Sequence, residues 1–240
     1  MTAVAESAPT RRERGPIVGF VIRLFRNKPL GAAGAVIFIL FLFCGLFADF
    51  LAPQGINQIS GTMGGTADTP AYEMSGGTMS GRIINGVTVK QSGGLLSGTA
   101  KTQDYALSGG QLTGFVDAKT VTLSDRGVVG SNGRLSGSTK ITQEGGLMAG
   151  IAETPLYDMS DGTMSGKIIN GVEVNQSGGI LSGEVSTQNY NLSGGSLTGK
   201  GEIDANNVTI SGNGNVESGA TVQASKTVVQ SGGTMSGNVN

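Results

Sequence analysis

The sequence predicts an all-β fold, a right-handed parallel β-solenoid of 16–17 residues per rung, preceded by one transmembrane α-helix. Three observations carry this reading. The phrase Ser-Gly-Gly-x-(Leu/Met)-(Ser/Thr)-Gly starts at Ser75, Ser92 and Ser108, again at Ser177 and Ser193, and a last time at Ser231. Within the two clusters the steps are 17 or 16 residues. A larger unit repeats at an offset of 85, with residues 69–114 and 154–199 identical at 33 of 46 positions. Self-similarity at a fixed period marks a chain built from stacked units. Finally, residues 30–48 (LGAAGAVIFILFLFCGLFA) form an apolar run without a charge, about the length that spans a bilayer as a helix.

The chain is two polymers joined near residue 57. Residues 1–57 hold 6 Gly and seven of the eight Phe, with a net charge of +3. Residues 58–240 hold 36 Gly, one Phe and a net charge of −4. This predicts three regions: a disordered cytoplasmic tail over 1–15, an interfacial segment and membrane helix over 16–57, and the solenoid over 58–240.

In the first polymer the expected anchor residues are Leu30, Val36, Phe38, Phe41, Phe43 and Phe47, apolar on every side of a helix. All nearby basic residues precede the run: Arg11, Arg12, Arg14, Arg23, Arg26 and Lys28. The positive-inside rule then predicts a cytoplasmic N-terminus in an inner membrane, with the solenoid periplasmic or extracellular. Cleavage after Ala48 or Ala52 would put Leu46 or Phe50 at the −3 position, which disfavours a signal peptide. Arg26-Asn27-Lys28 before the run and Leu51-Ala52-Pro53 after it complete a pattern of about 45 residues. It resembles the N-terminal segment of the C-type permease subunit of oligopeptide and dipeptide ABC transporters. That resemblance implies transport of peptides and ABC transporter subunits as partners. It ends at the helix exit, and no later stretch is apolar enough for further spanning helices.

In the second polymer, Val87-Thr88-Val89, Val121-Thr122-Leu123 and Val208-Thr209-Ile210 alternate apolar and polar residues at period 2, the signature of strands. Paired glycines mark the bends, and a glycine every few residues disfavours helix by about 1 kcal/mol each. Five rungs of 17 residues fill the 85-residue unit, and about eleven rungs at ~4.8 Å give a rod on the order of 50 Å. The expected core is Met79, Ile83, Val87, Val89, Leu96, Leu107 and Leu112, with Met164, Ile168, Val172, Val174, Leu181, Leu192 and Leu197; all of these keep their identity between the copies. The phrases TVVQSGGTMSGNVN (227–240) and VTVKQSGGLLSG resemble the AIDA-type repeats of autotransporter adhesins. That resemblance implies a secreted rod used in adhesion or self-association. The open rung at Asn240 offers strand edges for end-to-end contact.

Chemistry is sparse. With no His and one Cys, His-based triads, His general bases and internal disulfides are excluded. The phrase after Gly-Gly lacks the Asp of calcium-binding nonapeptides. Asp117, Asp125, Glu202 and Asp204 read as solvated charges, Cys44 as a packing residue. Tyr72, Tyr105, Tyr157 and Tyr190 follow the repeat and read as structural rather than as a carbohydrate-stacking face. The expectation is therefore a membrane-anchored, exported solenoid with a structural or adhesive role, not an enzyme. It carries no catalytic, metal or cofactor residues. Its partners are the lipid bilayer, itself or surface glycans, and not nucleic acid. The alternatives are a truncated or accessory relative of a peptide ABC permease and, more distantly, a polysaccharide-active β-helix.

Overall fold

The computed structural model describes residues 61–240 together with Gly34 and residues 37–43. The chain divides into two compact units, Met1–Ile56 and Asn57–Asn240. In the first, Gly34 and residues 37–43 are helical and exposed. Among the described residues no helix is long and apolar enough to cross a membrane. This corrects the expected spanning helix over 30–48, and with it the inner-membrane placement, the exported topology and the bilayer as partner. Phe38, Phe41 and Phe43 lie among the described helical residues. Leu30, Val36, Cys44 and Phe47, the basic flank (Arg11, Arg12, Arg14, Arg23, Arg26, Lys28), the 1–15 tail and the interfacial segment lie outside the described residues.

The second unit is a parallel β-solenoid. Each rung runs through three faces and stacks in parallel on the next. Among the described residues face I is crossed eleven times. Its first residues pair rung to rung as Thr66, Arg82, Thr99, Phe115, Arg134, Ile151, Lys167, Glu184, Glu202, Thr221 and Asn238. Face II carries Tyr72, Val89, Tyr105 and their successors, and face III carries Met79, Leu96, Leu112 and theirs. Strands Arg82–Leu96 and Arg134–Met148 each continue through the corners for nearly a whole rung.

The rungs are not uniform. From Thr66 to Ile151 the steps are 16, 17, 16, 19 and 17 residues, and from Ile151 to Asn238 they are 16, 17, 18, 19 and 17. The first five reach 85, and the steps of 18 and 19 exceed the expected 16–17 residues per rung. The next five reach 87, which is the offset between Gln143 and Gln230. The extra residues sit in tight turns, closed between faces II and III by Gly127 N–H to Ser124 O at 3.0 Å and Gly214 N–H to Ser211 O at 3.1 Å, and between faces III and I by Gly133 N–H to Gly130 O at 2.8 Å, Gly201 N–H to Thr198 O at 2.9 Å and Ala220 N–H to Glu217 O at 3.2 Å.

Three corner types shape the rung. Between faces II and III the backbone turns through positive φ at glycine, as at Gly94 (71°) and Gly179 (70°). Between faces I and II the left-handed residue is Asn85 (57°) or Asn170 (59°), the non-glycine residue type that best tolerates this region. Between faces III and I a glycine lies directly against the rung below. A Cβ on Gly98 would lie 1.9 Å from Gly81 O, and one on Gly166 would lie 1.9 Å from Gly150 O.

Alternation within each face sends one set of side chains inward. Of the expected core, Met79, Ile83, Val89, Leu96, Leu107, Leu112, Met164, Ile168, Val174, Leu181, Leu192 and Leu197 are buried. Val87 and Val172 are not, each being 45% exposed. Simple alternation back from Val89 or Val174 points them inward. However, the left-handed Asn two residues earlier and the following Gly break the alternation and shift the register. These valines therefore stand on the outside of the corner, held by N–H bonds to Pro70 O and Pro155 O.

Candidate functional site

Three features of the solenoid carry side-chain chemistry: a buried glutamine–tyrosine series, an open groove on face I, and the outward valines of the corner between faces I and II. In the first, Gln91, Gln143 and Gln176 occupy inward positions of face II and are 0–1% exposed. Each accepts a hydrogen bond at Oε1 from a tyrosine fourteen residues later: Tyr105 at 2.6 Å, Tyr157 at 2.6 Å and Tyr190 at 2.5 Å. Each amide also donates to the backbone of a neighbouring rung, to Gln111 O at 3.0 Å, Thr163 O at 3.0 Å and Ser196 O at 3.2 Å. Burial pushes the hydroxyls of Tyr105, Tyr157 and Tyr190 well above the usual phenol range, and raises Tyr72. The Tyr72 hydroxyl is buried and has no hydrogen-bond partner among the described residues; the residue fourteen before it is Gln58, outside the described residues. All four tyrosines are thus interior, and none offers a stacking surface.

The groove of about 1150 Å³ runs along the corner of faces III and I. Gly81, Gly98 and Gly114 form its floor, and Arg82, Lys101, Phe115, Asp117 and Arg134 stand over it. Arg82, Thr99, Phe115 and Arg134 are successive partners in one outward row. The Arg134 guanidinium lies over the Phe115 ring, 6.0 Å from its centroid. It also pairs with Glu153, and this hydrogen bond, aided by Asn170, holds the Glu153 carboxyl below its usual range. Among the described residues the side chains of Arg82 and Lys101 make no ion pair. Nothing in the repeat pattern singled out this row, because Phe115 and Arg134 fall in the divergent half of the unit.

The other acidic candidates stand apart. Asp125 occupies a left-handed turn position and accepts from Ser124 Oγ at 3.2 Å. Glu202 accepts from Gln223 Nε2 at 3.2 Å, and Asp204 lies in the outward row between Ser186 and Gln223. Among the described residues no three His, Cys, Asp or Glu come together as a metal site. Outside face II, amides and hydroxyls form ladders: Asn175 Nδ2 donates to Asp158 Oδ1, Asn191 Nδ2 to Asn175 Oδ1, and Thr227 Oγ1 to Asn207 Oδ1, each at 2.9 Å.

At the corner of faces I and II, Val87 and Val172 are each 45% exposed and take the same place in the two copies of the unit.

Residues 19–64 match the family described as the N-terminal TM domain of oligopeptide transport permease C. The resemblance seen in the sequence around Arg26–Pro53 is therefore shown for that region, and the match stops within the first strands of the solenoid. No curated protein and no solved structure matches the chain.

Proposed function

We propose that the β-solenoid is a non-catalytic structural module that associates with a second copy of itself along its flank. The observation that carries this is the pair of valines left outside the corner of faces I and II, Val87 and Val172, each 45% exposed. They stand five rungs apart on the same corner, and covering a Val fully is worth roughly 1.5–3 kcal/mol. The likeness of residues 227–240 to AIDA-type adhesin repeats supports the reading, since that family's rods serve adhesion and self-association. The permease match concerns residues 19–64 alone and gives the solenoid no transport role.

Sedimentation of the 240-residue chain over a range of concentrations tests the proposal. The unaltered protein is expected to shift to larger species as concentration rises. Val87→Lys with Val172→Lys, which places charges on outward positions without touching the interior, is expected to remain monomeric. An unaltered chain that stays monomeric throughout, or a double variant that associates equally well, would overturn it.

A further inference from the structure

We propose that the face I groove binds an acidic polysaccharide, a linear chain of sugars bearing carboxylates. Phe115 is the only phenylalanine after residue 50 and stands 37% exposed, while every tyrosine of the solenoid is buried. The Arg134 guanidinium lies over the ring, 6.0 Å from its centroid, so ring and guanidinium together form a platform of the kind against which the C–H face of a sugar packs. The charges around it suit an anion. Over the groove stand three cations, Arg82, Lys101 and Arg134, and one carboxylate, Asp117, although residues 58–240 together carry a net charge of −4. Arginine forks match carboxylates in two parallel hydrogen bonds. Arg134 is already fixed by Glu153 and the Phe115 ring, whereas the Arg82 and Lys101 side chains are exposed and have no ion-pair partner among the described residues.

The order of these groups selects a polymer lying along the rod. Arg82, Thr99, Phe115 and Arg134 occupy consecutive rungs of one row, about 4.8 Å apart. A cation, a hydroxyl, an aromatic platform and a second cation therefore follow one another in line. Lys101 and Asp117 form the adjoining row, where Asp117 can accept hydrogen bonds from sugar hydroxyls. The groove lining does not include Val87 or Val172, so this proposal stands or falls independently of self-association.

Affinity electrophoresis of the 240-residue chain through gels containing polygalacturonate, neutral dextran or polyuridylate tests it. Retardation by polygalacturonate alone is expected, weakening as salt rises. Arg82→Ala with Lys101→Ala is expected to weaken retention about tenfold, the size of one charge-assisted contact or more. Phe115→Ala is expected to weaken it severalfold, and Phe115→Leu to restore bulk without restoring retention. The Arg82/Lys101 pair makes no ion pair in the rod, so its variant keeps the fold, and circular dichroism checks this. Equal retention by dextran, stronger retention by polyuridylate, or indifference of polygalacturonate binding to the Arg82/Lys101 change would each overturn the proposal.

Discussion

Gln143 illustrates how much of this rod depends on single polar side chains. Its amide is fully buried, accepts from the Tyr157 hydroxyl at 2.6 Å and donates to Thr163 O at 3.0 Å. Gln143→Leu keeps the bulk but strands the hydroxyl and the carbonyl in the interior, so a loss of about 2–4 kcal/mol is expected in denaturant unfolding. Adding Tyr157→Phe removes one stranded group, and the double variant should be more stable than Gln143→Leu alone. The same pairs set the alkaline limit. In the unfolded chain tyrosine ionises near pH 10, whereas burial holds Tyr105, Tyr157 and Tyr190 protonated in the rod. Their contribution is therefore full below about pH 10 and falls as pH rises, by roughly 1.4 kcal/mol per unit for each tyrosine. Tyrosinate absorbance should appear only together with loss of β-structure; absorbance that rises while the rod stays folded would contradict this. The tyrosine repeat is visible in the sequence, but the glutamine partner is not. Gln beside Ser-Gly-Gly reads as an outward polar residue until the rung length places it one rung below the tyrosine.

At the level of the rung, the glycines divide into those that turn and those that let the coils touch. Gly166 belongs to the second kind, with Gly150 O where its Cβ would stand, 1.9 Å away. Gly166→Ala must push two rungs apart, and a loss above about 3 kcal/mol in thermal or denaturant unfolding is expected. Gly76 has nothing within 4 Å of its Cβ position, so Gly76→Ala should change stability by no more than about 0.5 kcal/mol. Equal effects of the two would show that close approach is not what holds the corner. The sequence revealed where glycines recur, and so the corners, but not which of them bear on a carbonyl below. It also placed most of the inward ladder correctly, because period-2 alternation holds within a face. It misplaced Val87 and Val172 because alternation does not survive the left-handed Asn85 and Asn170. The face I groove was illegible for a related reason: its members, Arg82, Phe115 and Arg134, lie 33 and 19 residues apart, and only stacking unites them.

For the whole solenoid, contacts between neighbouring rungs imply that complete units can be removed without loss of fold, since stability in such arrays is close to a sum of nearest-neighbour terms. Arg82 and Lys167 hold the same position in the two copies, each after Met-Ser-Gly and before Ile-Ile-Asn-Gly-Val. Deleting residues 82–166 joins Gly81 to Lys167 and takes out five rungs. Ile168 then lies over Ala67 as Ile83 did, and Asn170 can donate to Asp68 as Asn85 does at 2.8 Å. The shortened chain is expected to fold cooperatively, with β-sheet circular dichroism and a scattering length about 24 Å shorter. Deleting residues 82–174 instead joins Gly81 to Asn175 and feeds face II sequence into face I. That puts Asn175 where a face I strand begins and leaves inward positions without their apolar residues, so this variant is expected not to fold. If both deletions fold, inward register does not control the stack; if neither does, the rungs depend on contacts beyond their immediate neighbours. Folding of the first and failure of the second would establish that the unit read from the sequence is also the unit of stability.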